Sequence, residues 1–217
     1  MTKEGIFKKL WTPGVALVML FTGLILKSSV IQMIASIAGV VYIALIASEK
    51  RIGYIFGIVN VIFYSIVSYN EKLYGLVLYN LIYSLPVLIY GYFKWKDKSK
   101  NKIKTMSWDA RLLLSSSIIL LIIIYIQIAV SRQALLGTAI TDAVSVILGG
   151  IASFLMTKKY IEQWIGFITV NITTLIYWII NSIGNPSNYI MIIMWSVYTL
   201  NNIYGIIEWN KSRKIKG

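Results

Sequence analysis

The chain has 217 residues, 58% of them hydrophobic, with a mean hydropathy of +0.73; soluble domains sit nearer half apolar, so this composition describes a multi-span membrane protein. Cys and His are both absent, which removes thiol nucleophiles, disulfides, imidazole metal ligands and histidine proton relays, and no cofactor or metal is expected. The formal charge of +13 does not point to nucleic acid, because its distribution follows membrane orientation.

Crossing a bilayer takes about 20 apolar residues. Eight runs meet or approach that length: 11–26, 30–48, 52–69, 73–93, 111–131, 134–157, 161–181 and 188–209. The first is the shortest. A Lys-rich start before a short apolar stretch also fits a signal peptide, but no small-x-small cleavage site follows Leu26, so it reads as a span. With a cytoplasmic amino terminus, eight crossings put every Lys and Arg except Lys27, Lys72 and Arg132 on the inner side. The expectation is a multi-pass protein of the cytoplasmic membrane with both termini inside. The polar stretch Lys94 to Ser107 has no apolar periodicity and reads as a solvated inner connector.

The chain repeats itself. Tyr90-Gly91 is followed by Trp95, and Tyr204-Gly205 by Trp209; Gly57-Ile58-Val59-Asn60 with Tyr64 resembles Ile168-Thr169-Val170-Asn171 with Tyr177. Asn171 lies 111 positions after Asn60, and Tyr204 lies 114 after Tyr90. Three helices reverse direction across a membrane, so one intervening span, 111–131, restores the direction for a second copy. The expected fold is an all-α integral membrane protein of about eight transmembrane helices, a leading helix plus a 3+1+3 parallel-repeat core of SWEET type. The divisions are 1–29 (leading helix), 30–96 (first bundle), 97–133 (connector and linker helix), 134–210 (second bundle) and 211–217 (basic inner tail).

Polar groups at mid-depth are costly and face other helices or a water-filled path. Asn60, Tyr83, Asn171, Asn201 and Asn202 fall near the middle of their runs. On the last helix Trp195, Tyr198, Asn202, Gly205 and Trp209 follow steps of three and four and share a face. Asn171, Thr174 and Trp178 do the same on the preceding helix, beside Tyr177. Amides and a hydroxyl suit a ribose or carboxamide, and rings suit a flat or cationic base; packing between helices is the competing role of the same residues. Asp142 is the one carboxylate well inside a run, open to three roles: binding a cation, carrying a proton, or accepting hydrogen bonds from Thr138 or Thr141. Pro86 should kink its helix and free the carbonyl near Ile82, which would then line the path.

In these motifs the chain resembles the PnuC family of vitamin transporters. The likeness rests on Leu73-Tyr74-Gly75, on Leu85-Pro86 with Gly91 and Trp95, on Thr141-Asp142-Ala143, and on Leu155 to Glu162 leading to Trp164 and Asn171. It implies facilitated diffusion of a nucleoside-like vitamin, nicotinamide riboside first, with trapping by a cytoplasmic kinase that phosphorylates it. Related members handle thiamine, riboflavin or deoxynucleosides. Two places depart from the riboside carriers: Leu88 stands where Gln is common, and Gln163 where Asn is common. Asn202, three before its Gly, stands at the repeat-equivalent place of the missing amide.

The substrate contacts expected are therefore Asn171, Trp195, Tyr198 and Asn202, with Asn60, Tyr83, Asp142, Thr174 and Trp178 behind them. The partners expected are the vitamin and the lipid bilayer, with no nucleic acid; a homo-oligomer is compatible with the sequence. A substrate-capturing subunit of an ATP-driven importer is the rival reading. An enzyme is not expected, since one deep acid has no base to pair with it.

Overall fold

A computed structural model describes the backbone of residues 3–96, 102–131, 135–183 and 186–216, and the side chains of these except 3–9, 131, 138, 187, 215 and 216. Lys98, Lys100, Arg132 and the side chains of Thr138 and Lys216 lie outside the described residues. The described residues are helical in α1 (Lys3–Ile25), α2 (Val30–Ala47), α3 (Gly53–Asn70), α4 (Tyr74–Leu78), α5 (Leu85–Lys94), α6 (Trp108–Ser131), α7 (Leu136–Ala143), α8 (Gly149–Thr157), α9 (Gln163–Asn181) and α10 (Tyr189–Lys216). A π turn at Tyr79–Ser84 makes α4 and α5 one continuous rod, and another at Val144–Leu148 joins α7 to α8. Counted as rods there are eight helices, of which seven are long and apolar enough to cross a membrane; the apolar part of α1, Leu10–Ile25, is shorter.

The first π turn has a cause in the sequence. Pro86 has no amide hydrogen and its ring would strike the carbonyl four residues back. The helix widens just ahead of Leu85-Pro86, so the disturbance takes the form of a π turn.

Helix ends are set by local chemistry. Ser29 and Gln32 form a reciprocal capping box at the start of α2. Lys27, Glu49, Lys72 and Lys159 close α1, α2, α3 and α8 in the left-handed region, φ 51°, 54°, 60° and 60°. In each case the next amide reaches back to the last turn, as Lys50 N–H does to Leu45 O at 2.8 Å and Tyr160 N–H to Leu155 O at 3.0 Å.

Helix α2 packs on α3 and on α10, while α5 packs on α3 and on α8; α8 in turn packs on α9, and α9 on α10. These contacts link α2, α3, α5, α8, α9 and α10 into a ring. Helix α1 lies outside this ring against α2 and α10, with Val15 and Met19 buried and Trp11 Nε1 donating to Asn201 Oδ1 at 2.7 Å. Helix α6 exposes most of its length, as an apolar helix facing lipid should. The connector is less solvated than its composition suggests. Ile103 is buried, and Lys104 pairs with the α8–α9 loop through Lys104 N–H to Lys159 O (2.9 Å) and Ile161 N–H to Lys104 O (3.0 Å). That loop offers unpaired backbone groups, and the connector satisfies them.

Candidate functional site

A cavity of about 100 Å³ lies inside this ring of helices. Its lining comes from α2 (Tyr42), α3 (Asn60, Tyr64), the first π turn (Tyr79, Asn80, Ser84), the second π turn and α8 (Ser145, Gly149, Ser153), α9 (Asn171) and α10 (Trp195, Tyr198), with apolar Leu76, Leu88, Phe167 and Val170 between them. None of the lining residues carries a formal charge. Two larger grooves, about 350 and 460 Å³, flank α6 on outer faces and are almost wholly apolar; acyl chains are the natural neighbours of such faces.

Four of the nine residues expected from sequence share this cavity: Asn60, Asn171, Trp195 and Tyr198. Asn60 donates through Nδ2 to Ala35 O at 2.8 Å, which fixes its amide against α2. Trp195 stands edge-on to Tyr64, centroids 5.8 Å apart, and to Tyr198, 5.1 Å apart. Gly39 gives Tyr198 its place, since a Cβ there would sit 1.5 Å from the hydroxyl and 2.6 Å from Asn60 Nδ2.

Asn202 is fully buried one layer behind. In the amide orientation that satisfies all its neighbours, Asn171 donates to Phe167 O at 3.0 Å and accepts from Asn202 Nδ2 at 2.7 Å. Thr174 and Trp178 are also behind the wall. Thr174 lies 3.5 Å from Ser145 Oγ, and Trp178 Nε1 donates to Tyr64 OH at 3.4 Å, so both touch lining residues without lining the cavity themselves.

Tyr83 and Asp142 are placed elsewhere. Tyr83 donates to Gly150 O at 2.9 Å and stacks on Tyr79, tying the α4–α5 rod to α8 on the lipid-facing side. Asp142 is buried, with the backbone amides of Gly75 and Leu76 directed at its carboxylate. These are orphan donors of the first turn of α4, and an acid there satisfies them and meets the positive end of the helix. Thr141 Oγ1 donates to Gly137 O at 3.0 Å within its own helix.

Sequence reading passed over Tyr42, Tyr64, Tyr79, Asn80 and Ser145. Asn80 carried a usable signal, an amide at mid-span, but it falls in the π turn, where steps of three and four no longer describe the inward face.

Two groups of polar contacts link neighbouring helices toward their opposite ends. At the lysine-rich end, Lys159 Nζ pairs with Glu49 Oε2 at 2.9 Å and lies 4.5 Å over the Trp95 ring. At the other end, Gln32 Nε2 donates to Asn188 Oδ1 (3.0 Å) and Asn188 Nδ2 to Glu71 Oε1 (3.3 Å). The cavity thus lies among membrane-length helices, with amides and hydroxyls set in a mostly apolar, uncharged lining.

The sequence profile of the family described as nicotinamide mononucleotide transporter matches residues 29–211. The chain belongs to this family. It is a family of membrane transporters, not of enzymes. Among its relatives is the nicotinamide riboside transporter PnuC of Neisseria mucosa, 29% identical over 188 residues that make up 82% of this chain and 71% of that protein. The protein of the same name from Haemophilus influenzae is 29% identical over 189 residues, 83% of this chain and 79% of its own. The Escherichia coli protein is 24% identical over 215 residues, 86% and 87% of the two chains. A crystal structure of the vitamin B3 transporter PnuC superposes with a TM-score of 0.80 at 25% identity, covering all of this chain and 94% of that one. The family profile begins after α1, whereas the superposition includes it.

Proposed function

We propose that this transporter carries an uncharged-sugar, nucleoside-like vitamin, with nicotinamide riboside as the leading candidate, by facilitated diffusion through alternating access. The observation that supports this reading is the cavity lining: amides, hydroxyls and aromatic rings with no charged side chain. A phosphate buried there would lack a cationic partner, at a cost of several kcal/mol (roughly) per unpaired ion. A riboside brings no phosphate to bury, and its pyridinium cation finds aromatic faces in Tyr64, Trp195 and Tyr198. The chemistry thus favours the nucleoside over the mononucleotide.

A cavity of about 100 Å³ is below the roughly 300–1,000 Å³ of small-molecule sites. Loading therefore requires the two halves to part, and we take the reciprocal packing of α2 on α10 and α5 on α8 as support for two like-oriented bundles that rock about a shared axis. With the lysine-rich end cytoplasmic, both termini are inside the cell membrane, and phosphorylation by a cytoplasmic kinase would trap the product. Asn171, Trp195, Tyr198 and Asn60 are the proposed contacts, with Asn202, Thr174 and Trp178 positioning them.

The test is uptake by the purified chain in liposomes. Radiolabelled nicotinamide riboside is expected to equilibrate without ATP, ion gradient or partner, and nicotinamide mononucleotide to stay outside. Binding without equilibration would instead support a capture subunit of a larger importer, and thiamine, riboflavin or deoxynucleosides in the same assay decide the vitamin.

A further inference from the structure

Both π turns contribute to the cavity wall. A π turn carries more residues than an α turn, so it re-aims the side chains within and after it, and such turns concentrate at functional sites. Here they bury short polar side chains: Asn80 and Ser84 from the first, Ser145 from the second. All three line the cavity, to which α3 and α10 bring the aromatic residues Tyr64, Trp195 and Tyr198. One chamber thus holds a hydroxyl-and-amide wall and an aromatic cluster.

Asn80 is the side chain of the polar wall with an unmet donor; Trp195 Nε1 and Tyr198 OH are unmet donors of the aromatic cluster. It is 4% exposed, and its Nδ2 has no hydrogen-bond partner. Buried amides are nearly always paired, and an unmet donor is costly to maintain. An NH₂ group accepts nothing; it takes only an acceptor oxygen. Asn60 and Asn171, the other amides of the lining, are already engaged by Ala35 O and by Phe167 O with Asn202. The unmet donor of Asn80 shares the cavity with the Ser84, Ser145 and Ser153 hydroxyls, which both give and accept, a set of groups that complements a vicinal diol.

We propose that Asn80 reads the sugar of the transported vitamin, its Nδ2 donating to the oxygen of the 2′ or 3′ hydroxyl while the aromatic cluster holds the flat ring. This rests on the nucleoside reading above and adds the residue that separates ribosides from their deoxy counterparts. A site built to hydrogen-bond a hydroxyl rejects the analogue that lacks it, because its own buried group is then left unpaired.

Calorimetric titration of the purified chain with nicotinamide riboside and with its 2′,3′-dideoxy analogue tests the assignment. Wild type is expected to prefer the riboside by about tenfold or more, and Asn80→Leu to erase that preference by weakening riboside binding alone. A preference that persists in Asn80→Leu, or that wild type lacks, overturns the proposal. Should Asn80→Leu fail to purify, Asn80→Ser is smaller, keeps a hydroxyl donor, and is expected to show a reduced preference; an unchanged one has the same overturning force. Wild type that binds no riboside at all would remove the substrate reading and this assignment together, whereas normal riboside binding with an indifferent Asn80 removes only the latter.

Discussion

Trp95 and Trp209, each four places after the glycine of a Tyr-Gly pair, meet at the lysine-rich end with ring centroids 6.1 Å apart. Each also receives an edge-on ring from a neighbouring helix: Tyr54 of α3 against Trp95 at 5.1 Å and 84°, Trp164 of α9 against Trp209 at 5.3 Å and 85°. The glycines explain the motif. A Cβ at Gly91 would lie 2.3 Å from the Tyr54 ring, and one at Gly205 would lie 2.6 Å from the Trp164 ring. Gly makes room for the ring, and the ring meets the Trp one turn on.

Gly91→Ala and Gly205→Ala are therefore expected to destabilise by about 1–3 kcal/mol, the usual range for overpacking. The melting temperature in detergent measures it. Pairing Gly91→Ala with Tyr54→Ala should cost less than the sum of the two single changes, and strict additivity would show that the glycine has another purpose.

Lys159 and Glu49 close α8 and α2 respectively, each with a positive φ, and they pair with each other. The pair is part-buried, so Lys159→Met should cost less than the roughly 3–5 kcal/mol of a fully buried pair yet lower the melting temperature beyond a surface change. Glu49→Lys combined with Lys159→Glu is expected to recover only part of the loss, because the Trp95 face would then meet a carboxylate instead of an ammonium. Full stability of Lys159→Met would show the pair to be dispensable.

Asn171 and Asn202 act as one unit, the second amide holding the first against α10. Asn171→Ala and Asn202→Ala are each expected to reduce uptake by at least about tenfold, the equivalent of one lost hydrogen bond at about 1.4 kcal/mol, with normal abundance in the membrane. Full transport by both variants would take these amides out of the site.

Gly39→Ala places a methyl group where the Tyr198 hydroxyl now lies. The stiff ring has nowhere to retreat without disturbing Trp195 and Asn60. The expected result is loss of uptake with the protein still present and folded, measured by transport against surface abundance. Wild-type transport would show that Tyr198 has another position open to it.

The architecture of helices was legible because a bilayer imposes length and apolarity on every span, and those properties are written residue by residue. The amides at Asn60 and Asn171 and the rings at Trp195 and Tyr198 were legible for a related reason, since polar and aromatic groups at mid-depth must face other helices. Tyr83 was misleading because depth does not fix direction: the π turn aims it at Gly150 and the lipid, and Asn80 into the cavity. Asp142 was singled out by rarity, and the structure sets it outside the cavity lining, with the Gly75 and Leu76 amides of a helix distant in sequence as its neighbours.

By itself the sequence determined that this is a membrane protein of about eight helices with recurring motifs and no reactive thiol or imidazole, since composition and spacing are properties of the chain alone. Which polar side chains share a chamber, which only brace it, and which two halves of an ion pair find each other were decided by tertiary structure. The reason is physical: helix periodicity assigns a face but not its partner, and a local change of helical pitch redirects that face without leaving a trace in the spacing.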